Sequence, residues 1–147
     1  MKTLLNTENA WTPAILRVVL GSVVFAHGAQ KLLGWFGGYG FEGTMAYFTQ
    51  TVGLPWIVGF TVIILESLGA VILMAGFATR LLAVAFTGLG FGILFTVHAQ
   101  HGFFMNWFGN QSGEGFEFFL LWLAISTSLI LTGGGRLSVD RALTKSK

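Results

Sequence analysis

Four long apolar stretches alternate with polar or glycine-rich segments along the chain. They cover about residues 13–35, 55–76, 80–101 and 116–132. An α-helix needs ~20 apolar residues to cross a bilayer, and each stretch is close to that length. Pro13 and Pro55 stand at the starts of the first two, where a missing backbone N–H is tolerated. The pattern predicts an all-α fold, an integral membrane bundle of four helices.

The connections between these stretches differ in length and character. Residues 36–54 begin with several glycines, which predicts an interfacial or re-entrant loop with a short helix over about 44–51. Residues 77–80 form a very short link, so the second and third helices are expected to make an antiparallel hairpin. Residues 102–115 combine aromatic side chains with Gly and Asn, as membrane-surface loops do. Three glycines at 133–135 end the fourth helix, and a basic tail follows.

Composition strengthens the membrane interpretation. The chain has 147 residues, of which 54% are hydrophobic and 10% charged, whereas soluble domains carry about 25% charged residues. This length suits a single transmembrane domain over residues 1–147. The net charge of +2 is too dispersed for a nucleic-acid surface. Cysteine is absent, which excludes disulfides, thiolate metal sites and dithiol relays, so electrons in any redox reaction would have to sit on a bound cofactor or a partner.

The basic residues predict an orientation. Lys31 would be the only basic residue of the outer side, beside three glutamates, if the N-terminus is cytoplasmic. Both termini are therefore predicted inside and both long loops outside. Arg17 interrupts the first apolar run, so this run is expected to be a retained helix rather than a signal peptide. The cytoplasmic side would then hold Lys2, Arg80, Arg136, Arg141, Lys145 and Lys147.

The first span carries polar groups that a lipid-facing helix would lack. Arg17, His27, Gln30 and Lys31 all lie within it. At 100° per residue, the ionisable groups share one broad face with Gly28. Such a face should turn toward partner helices. His27 and Lys31, at i and i+4, are either a core histidine and a lysine reaching the headgroups, or a site for a carbonyl or anionic oxygen.

Glu66 is the most informative single residue. Counting ~1.5 Å per residue places it near the bilayer centre, where a carboxylate costs about 3 kcal/mol unless it is protonated or paired. Two interpretations stay open: a buried Arg17–Glu66 pair that fixes helix register, or a proton-accepting group beside a ligand. The same count places Arg17 lowest, then Glu66, His27, Lys31, His98, His101 and Glu117 toward the outer mouth.

Several motifs together resemble the DoxX family. In the first span the matching run is LRVVLGSVVFAHGAQKLLGWFGGYG; LESLG follows at 65–69, GFEF at 115–118 and GGGRLSVD at 133–140. Phe118 departs from the pattern, since an aromatic hydroxyl is often found there. Members are small four-helix bacterial membrane proteins related to the DoxD subunit of thiosulfate:quinone oxidoreductase. The resemblance implies a bacterial cytoplasmic membrane location and a quinone-linked role.

These observations predict a multi-pass inner-membrane protein that binds a lipophilic ligand, a quinone, in the outer half of the bundle. Glu66 and His27 would be catalytic, with the aromatic outer loops covering the ring. Redox partner proteins would supply electrons, and homo-oligomerisation stays open. No metal or haem is expected, because the three histidines show no recognised ligand spacing. The predicted ligand-binding residues are Arg17, His27, Gln30, Lys31, Glu66, His98 and Glu117.

Two other functions remain open from the sequence. A structural or assembly subunit would use its buried charges only to lock the bundle. A small transporter is disfavoured, because four spans show no inverted repeat.

Overall fold

The structure is a computed structural model that describes residues 5 and 7–145. Within these residues it is helical and contains no strand. Lys2 and Lys147, which entered the orientation argument, lie outside the described residues. The helices are α1 (Trp11–Leu33), α2 (Gly40–Ala46), α3 (Trp56–Ala75), α4 (Thr79–His101), α5 (Glu117–Thr132) and α6 (Val139–Lys145).

The four long helices begin and end within two residues of the predicted stretches. By length and composition, α1, α3 and α4 can each cross a membrane. Helix α5 is apolar but has only 16 residues, about 24 Å of helix. Large apolar side chains such as Ile15, Leu81 and Leu131 are exposed on the outer faces, as expected of a protein whose surface contacts lipid.

The first loop contains the predicted short helix, which starts earlier than expected. Helix α2 begins at Gly40 and passes into a π-helical turn over Tyr47–Thr51. The segment before it is tightly wound, because Gly34, Phe36 and Gly37 all have positive φ. This segment reverses the chain just beyond the end of α1.

The core lies where α1, α3, α4 and α5 contact one another. Helix α1 contacts α3 and α5, and α4 packs along α5. Val24, Leu73, Phe86 and Leu129 are fully buried there. Trp122 joins them, and its indole N–H donates to the carbonyl of Phe86 at 2.8 Å. One side of each of these helices is therefore used for interhelical packing, while apolar side chains also cover the outer faces.

Helices α1 and α3 approach each other closely at Gly28. A Cβ on Gly28 would overlap the backbone carbonyl of Glu66 and the backbone nitrogen of Ser67. Backbone atoms cannot rotate away as side chains can, so only glycine permits this approach. The contact sets the register of α1 against α3.

We therefore expect Gly28→Ala to destabilise the protein by about 3 kcal/mol or more, because the two helices must separate to admit the methyl group. Thermal unfolding in detergent would measure it. Gly88→Ala is the matched control: Gly88 is also helical, but a Cβ there meets nothing within 4 Å. The control should be neutral or gain up to ~1 kcal/mol from helix propensity. Equal behaviour of the two variants would contradict the close approach.

Arg17 ties together the end of the molecule that holds the start of α1, the end of α3 and the segment after α5, called the inner end below because the sequence predicts it on the cytoplasmic side. Its guanidinium donates to the carbonyls of Gly134 and Leu137, both at 2.8 Å, and also to those of Met74 and Arg136. Arg17 is 3% exposed. Carbonyl groups at the end of α3 and in the glycine-rich turn after α5 are thus satisfied by one buried side chain.

Asp140 closes the same end from α6. Its carboxylate accepts the backbone N–H groups of Ala78 and Thr79, at 2.7 and 2.9 Å, where α4 begins. The segment before α1 is held at this end too, since the backbone N–H of Arg136 donates to the Ala10 carbonyl at 3.0 Å. The motif GGGRLSVD therefore has a structural role at the inner end.

Candidate ligand-binding site

Toward the opposite end of the molecule, Lys31 and Glu66 form a partly buried ion pair. Lys31 Nζ lies 2.5 Å from Glu66 Oε2, and the side chains are 24% and 3% exposed. Side chains on a helix lean toward its N-terminus. Helices α1 and α3 run antiparallel, so Lys31 leans toward Glu66 and Glu66 leans toward Lys31. Their opposed tilts close the gap between the two residues.

Of the two interpretations of Glu66 that the sequence left open, the Arg17–Glu66 pair is wrong, because Glu66 pairs with Lys31 instead. Gly28 is level with Glu66, and Arg17 lies eleven residues (28 − 17) before it, about 16 Å along the helix. Arg17 also leans away, toward the inner end, where it meets Met74. Counting residues from the start of each span placed Glu66 too far from the outer end of α1.

A cavity of about 400 Å³ lies beside the Lys31–Glu66 pair. This volume is within the ~300–1,000 Å³ typical of small-molecule sites. It brings together four of the predicted site residues, His27, Lys31, Glu66 and His98, with one further carboxylate, Glu114. Its apolar walls are Ile93, Met105, Phe118, Phe119 and Trp122.

The polar atoms of the cavity are partly uncommitted. Within the described part of the chain, neither Glu66 Oε1 nor the His27 ring makes a hydrogen bond, whereas Glu66 Oε2 is held by Lys31. His98 Nδ1 bonds to the Glu114 carbonyl at 2.8 Å, and its ring packs on Phe119 with centroids 4.6 Å apart. A ligand could therefore meet a carboxylate, an ammonium and two imidazoles against aromatic walls.

Two of these residues sit in π-helical turns. Glu66 lies in the turn over Leu65–Gly69 and His98 in that over Leu94–His98. A π turn fits an extra residue into the helix and shifts the side chains that follow. Such turns are rare and occur frequently at functional sites. Two of the three π turns among the described residues therefore contribute a side chain to this cavity, and the third, over Tyr47–Thr51, borders the neighbouring one.

The structure places the other predicted site residues outside the cavity. Arg17 is at the inner end, as described. Gln30 lines a neighbouring cavity of about 450 Å³ near Tyr39 and Tyr47, and Lys31 borders both cavities. Glu117 accepts the N–H groups of the Met105 backbone and the Trp107 indole, at 2.9 and 3.2 Å. Glu117 thus holds the loop that contributes Met105 to the cavity.

The aromatic side chains of the 102–115 loop are not among the residues that line the cavity. Phe104, Trp107 and Phe108 are 66%, 78% and 90% exposed, and the aromatic wall comes from Phe118, Phe119 and Trp122 of α5. Phe118 and Trp122 are spaced i, i+4, and this spacing could have indicated the wall. Glu114 and Met105 belong to an irregular loop, which no periodic pattern predicts.

The histidines do not assemble into a metal site. His101 lies outside the cavity, with its Nδ1 3.2 Å from the Ser112 hydroxyl. Over the described ranges, no group of three or more His, Asp or Glu side chains is arranged to hold a metal ion.

Comparison with known proteins gives one family and one similar relative. The DoxX family model matches residues 12–99. The chain is 33% identical, over 133 residues, to "Putative oxidoreductase CatD" of Bacillus subtilis, covering 90% of this chain and 87% of that protein. No solved structure matches the chain. The family match spans α1 to α4 and includes His27, Lys31, Glu66 and His98, while the α5 wall lies beyond it.

Proposed function

Because this chain belongs to the DoxX family, we propose that it is a quinone-binding protein of a bacterial cytoplasmic membrane, working as part of an oxidoreductase system. The observation that carries this proposal is the cavity in which the Lys31–Glu66 pair and two histidines face aromatic walls. A relative named as an oxidoreductase supports a redox role. The absence of cysteine means that the chain itself brings no thiol redox group.

The proposal includes four membrane crossings. Helix α5 packs between α1 and α4, and a glycine-rich turn ends it beside Arg17, at the inner end where the chain near both termini meets. An even number of crossings puts both termini on one side, and the excess of basic residues there favours the cytoplasm. The cavity would then open in the outer half of the bilayer.

The cavity residues fit a quinone ring. Aromatic rings bind other rings by offset or edge-on stacking, which Phe118, Phe119 and Trp122 can provide. Lys31 and His27 can donate N–H groups to a quinone oxygen. Glu66 Oε1 faces no hydrogen-bond donor among the described side chains and can hold or release a proton at that oxygen. A bound quinone would supply the electron-carrying group, and a partner protein would exchange electrons with it.

We expect the purified wild-type protein to carry near-stoichiometric quinone, measured by solvent extraction and mass spectrometry and normalised to protein. Glu66→Gln and His27→Ala should each lower the quinone content at least ~10-fold, because each removes a polar contact that the ring cannot replace. Matched controls are Glu42→Gln on exposed α2 and His101→Ala outside the cavity. Both controls should retain quinone.

Two results would count against this proposal. Quinone retained equally in all four variants would show that it binds elsewhere. Wild-type protein that neither co-purifies with quinone nor takes it up from quinone-loaded vesicles would favour an assembly subunit without a ligand.

A further inference from the structure

The hydrogen bond made by His98 determines which of its nitrogens can receive a proton. His98 Nδ1 lies 2.8 Å from the Glu114 carbonyl oxygen, which can only accept. Nδ1 therefore carries the hydrogen. In a neutral imidazole the other nitrogen, Nε2, then has a free lone pair, and within the described residues it makes no hydrogen bond. His98 thus presents an acceptor to a ligand.

The cavity wall around His98 offers no free hydrogen-bond donor. The Trp122 indole N–H is committed to the Phe86 carbonyl at 2.8 Å. The Met105 N–H is committed to Glu117 at 2.9 Å. The Glu114 carboxylate is also an acceptor rather than a donor, and its Oε2 already receives the Asn106 N–H at 2.6 Å. Ile93, Phe118 and Phe119 are apolar.

The opposite wall, from α1 and α3, is mixed. Lys31 brings N–H donors, Glu66 brings a carboxylate oxygen, and His27 can do either. An oxygen placed there is satisfied whether it is a carbonyl or a hydroxyl. The two walls therefore differ. The wall from α1 and α3 can form a hydrogen bond with a carbonyl or a hydroxyl oxygen of the ligand, whereas the wall around His98 can form one only with a hydroxyl.

From this asymmetry we propose that the cavity binds the reduced, dihydroxy form of a quinone in preference to the oxidised form. The inference rests on the proposed function. A quinol has a hydroxyl for each wall. A quinone would place a carbonyl lone pair against the lone pair of His98 Nε2, leaving both acceptors without a hydrogen.

The preference can be tested by measuring the affinities of a quinone and of its own quinol, because the two molecules have nearly the same shape. Purified protein in detergent is dialysed to equilibrium, anaerobically and at pH 8, against duroquinol or duroquinone, and bound ligand is quantified. We expect the wild-type protein to bind duroquinol at least ~10-fold more tightly, the typical effect of leaving one polar group unpaired once the ligand has covered it. This ratio requires no variant and is independent of any electron-transfer activity.

The His98→Phe variant tests whether His98 causes the preference for the quinol. Phenylalanine keeps a ring against Phe119 but removes the acceptor, so the quinol-to-quinone ratio should fall toward one. His101→Phe is the matched control and should keep the wild-type ratio. Thermal unfolding of both variants checks that they are folded.

The outcomes separate the two proposals. Duroquinone bound as tightly as duroquinol, or more tightly, would overturn the preference while leaving quinone binding intact. A preference that survives in His98→Phe would overturn the role of His98. If neither ligand binds and no quinone co-purifies, the proposed function itself fails.

Discussion

Replacing Arg17 by leucine is expected to open the inner end of the molecule and to lower its stability by several kcal/mol. The guanidinium bonds to four backbone carbonyls, one in α3 and three in the segment after α5, and so joins two parts of the chain that are distant in sequence. Hydrogen bonds to a charged group contribute about 1.5–3 kcal/mol each, and the carbonyls left behind would be buried without a donor. Thermal unfolding in detergent measures the loss, and limited proteolysis should cut residues 133–145 first.

Two further variants sharpen the test. Arg136→Leu removes an exposed arginine from the same end, and a loss of less than ~1 kcal/mol is expected. Arg17→Lys keeps the charge but cannot reach all four carbonyls, so an intermediate loss is expected. If the Arg17→Leu and Arg136→Leu variants unfold at the same temperature, the Arg17 guanidinium does not hold the inner end. A folded Arg17→Lys variant should keep its quinone, because Arg17 is remote from the cavity.

The helices could be predicted because their causes are local. Apolar length, the two prolines and the glycine-rich breaks act within each segment, and α1, α3, α4 and α5 appear where these features place them. The polar face of α1 could also be predicted, since the 3.6-residue period of a helix puts Gly28 and Lys31 on the same side. Glu66 stood out because a carboxylate in an apolar run is costly wherever it points.

The partner of Glu66 could not be predicted in the same way. Counting residues gives a depth along each helix, but it leaves open how far one helix slides past another. That offset is set by the contact between Gly28 and the Glu66 backbone, which exists only once the helices pack. The tilt of the side chains toward the N-terminus of each helix then brings Lys31, and not Arg17, to the Glu66 carboxylate.

The cavity itself combines predictable and unpredictable parts. His27, Lys31, Glu66 and His98 were all indicated by their chemistry within apolar spans. The loop that adds Glu114 and Met105 is shaped by particular hydrogen bonds, including three backbone N–H groups at residues 115–117 that donate to carbonyls of 102–104. Irregular loops have no period from which their path can be inferred, so these contributions appear only in the folded molecule.

Lys31→Met is expected to be the most damaging substitution at the outer end. It removes the partner of a carboxylate that is only 3% exposed, and breaking a buried pair from one side typically costs about 3–5 kcal/mol. The variant should therefore unfold at a lower temperature than the wild type, which thermal unfolding in detergent measures. A Lys31→Met variant as stable as the wild type would mean that Glu66 has no need of the ammonium.

The double variant Lys31→Met with Glu66→Met decides whether the pair is there for structure or for the ligand. Two methionines fill similar volume and strand no charge, so stability should return to the wild-type value or exceed it. A pair retained only to hold helices together would then be fully replaced, and quinone content would recover with stability. If the pair binds the ligand, stability should recover but quinone content should not, because the donor and the acceptor that meet the ligand oxygen are both gone. A double variant that is stable and still carries quinone would make Lys31–Glu66 a purely structural pair.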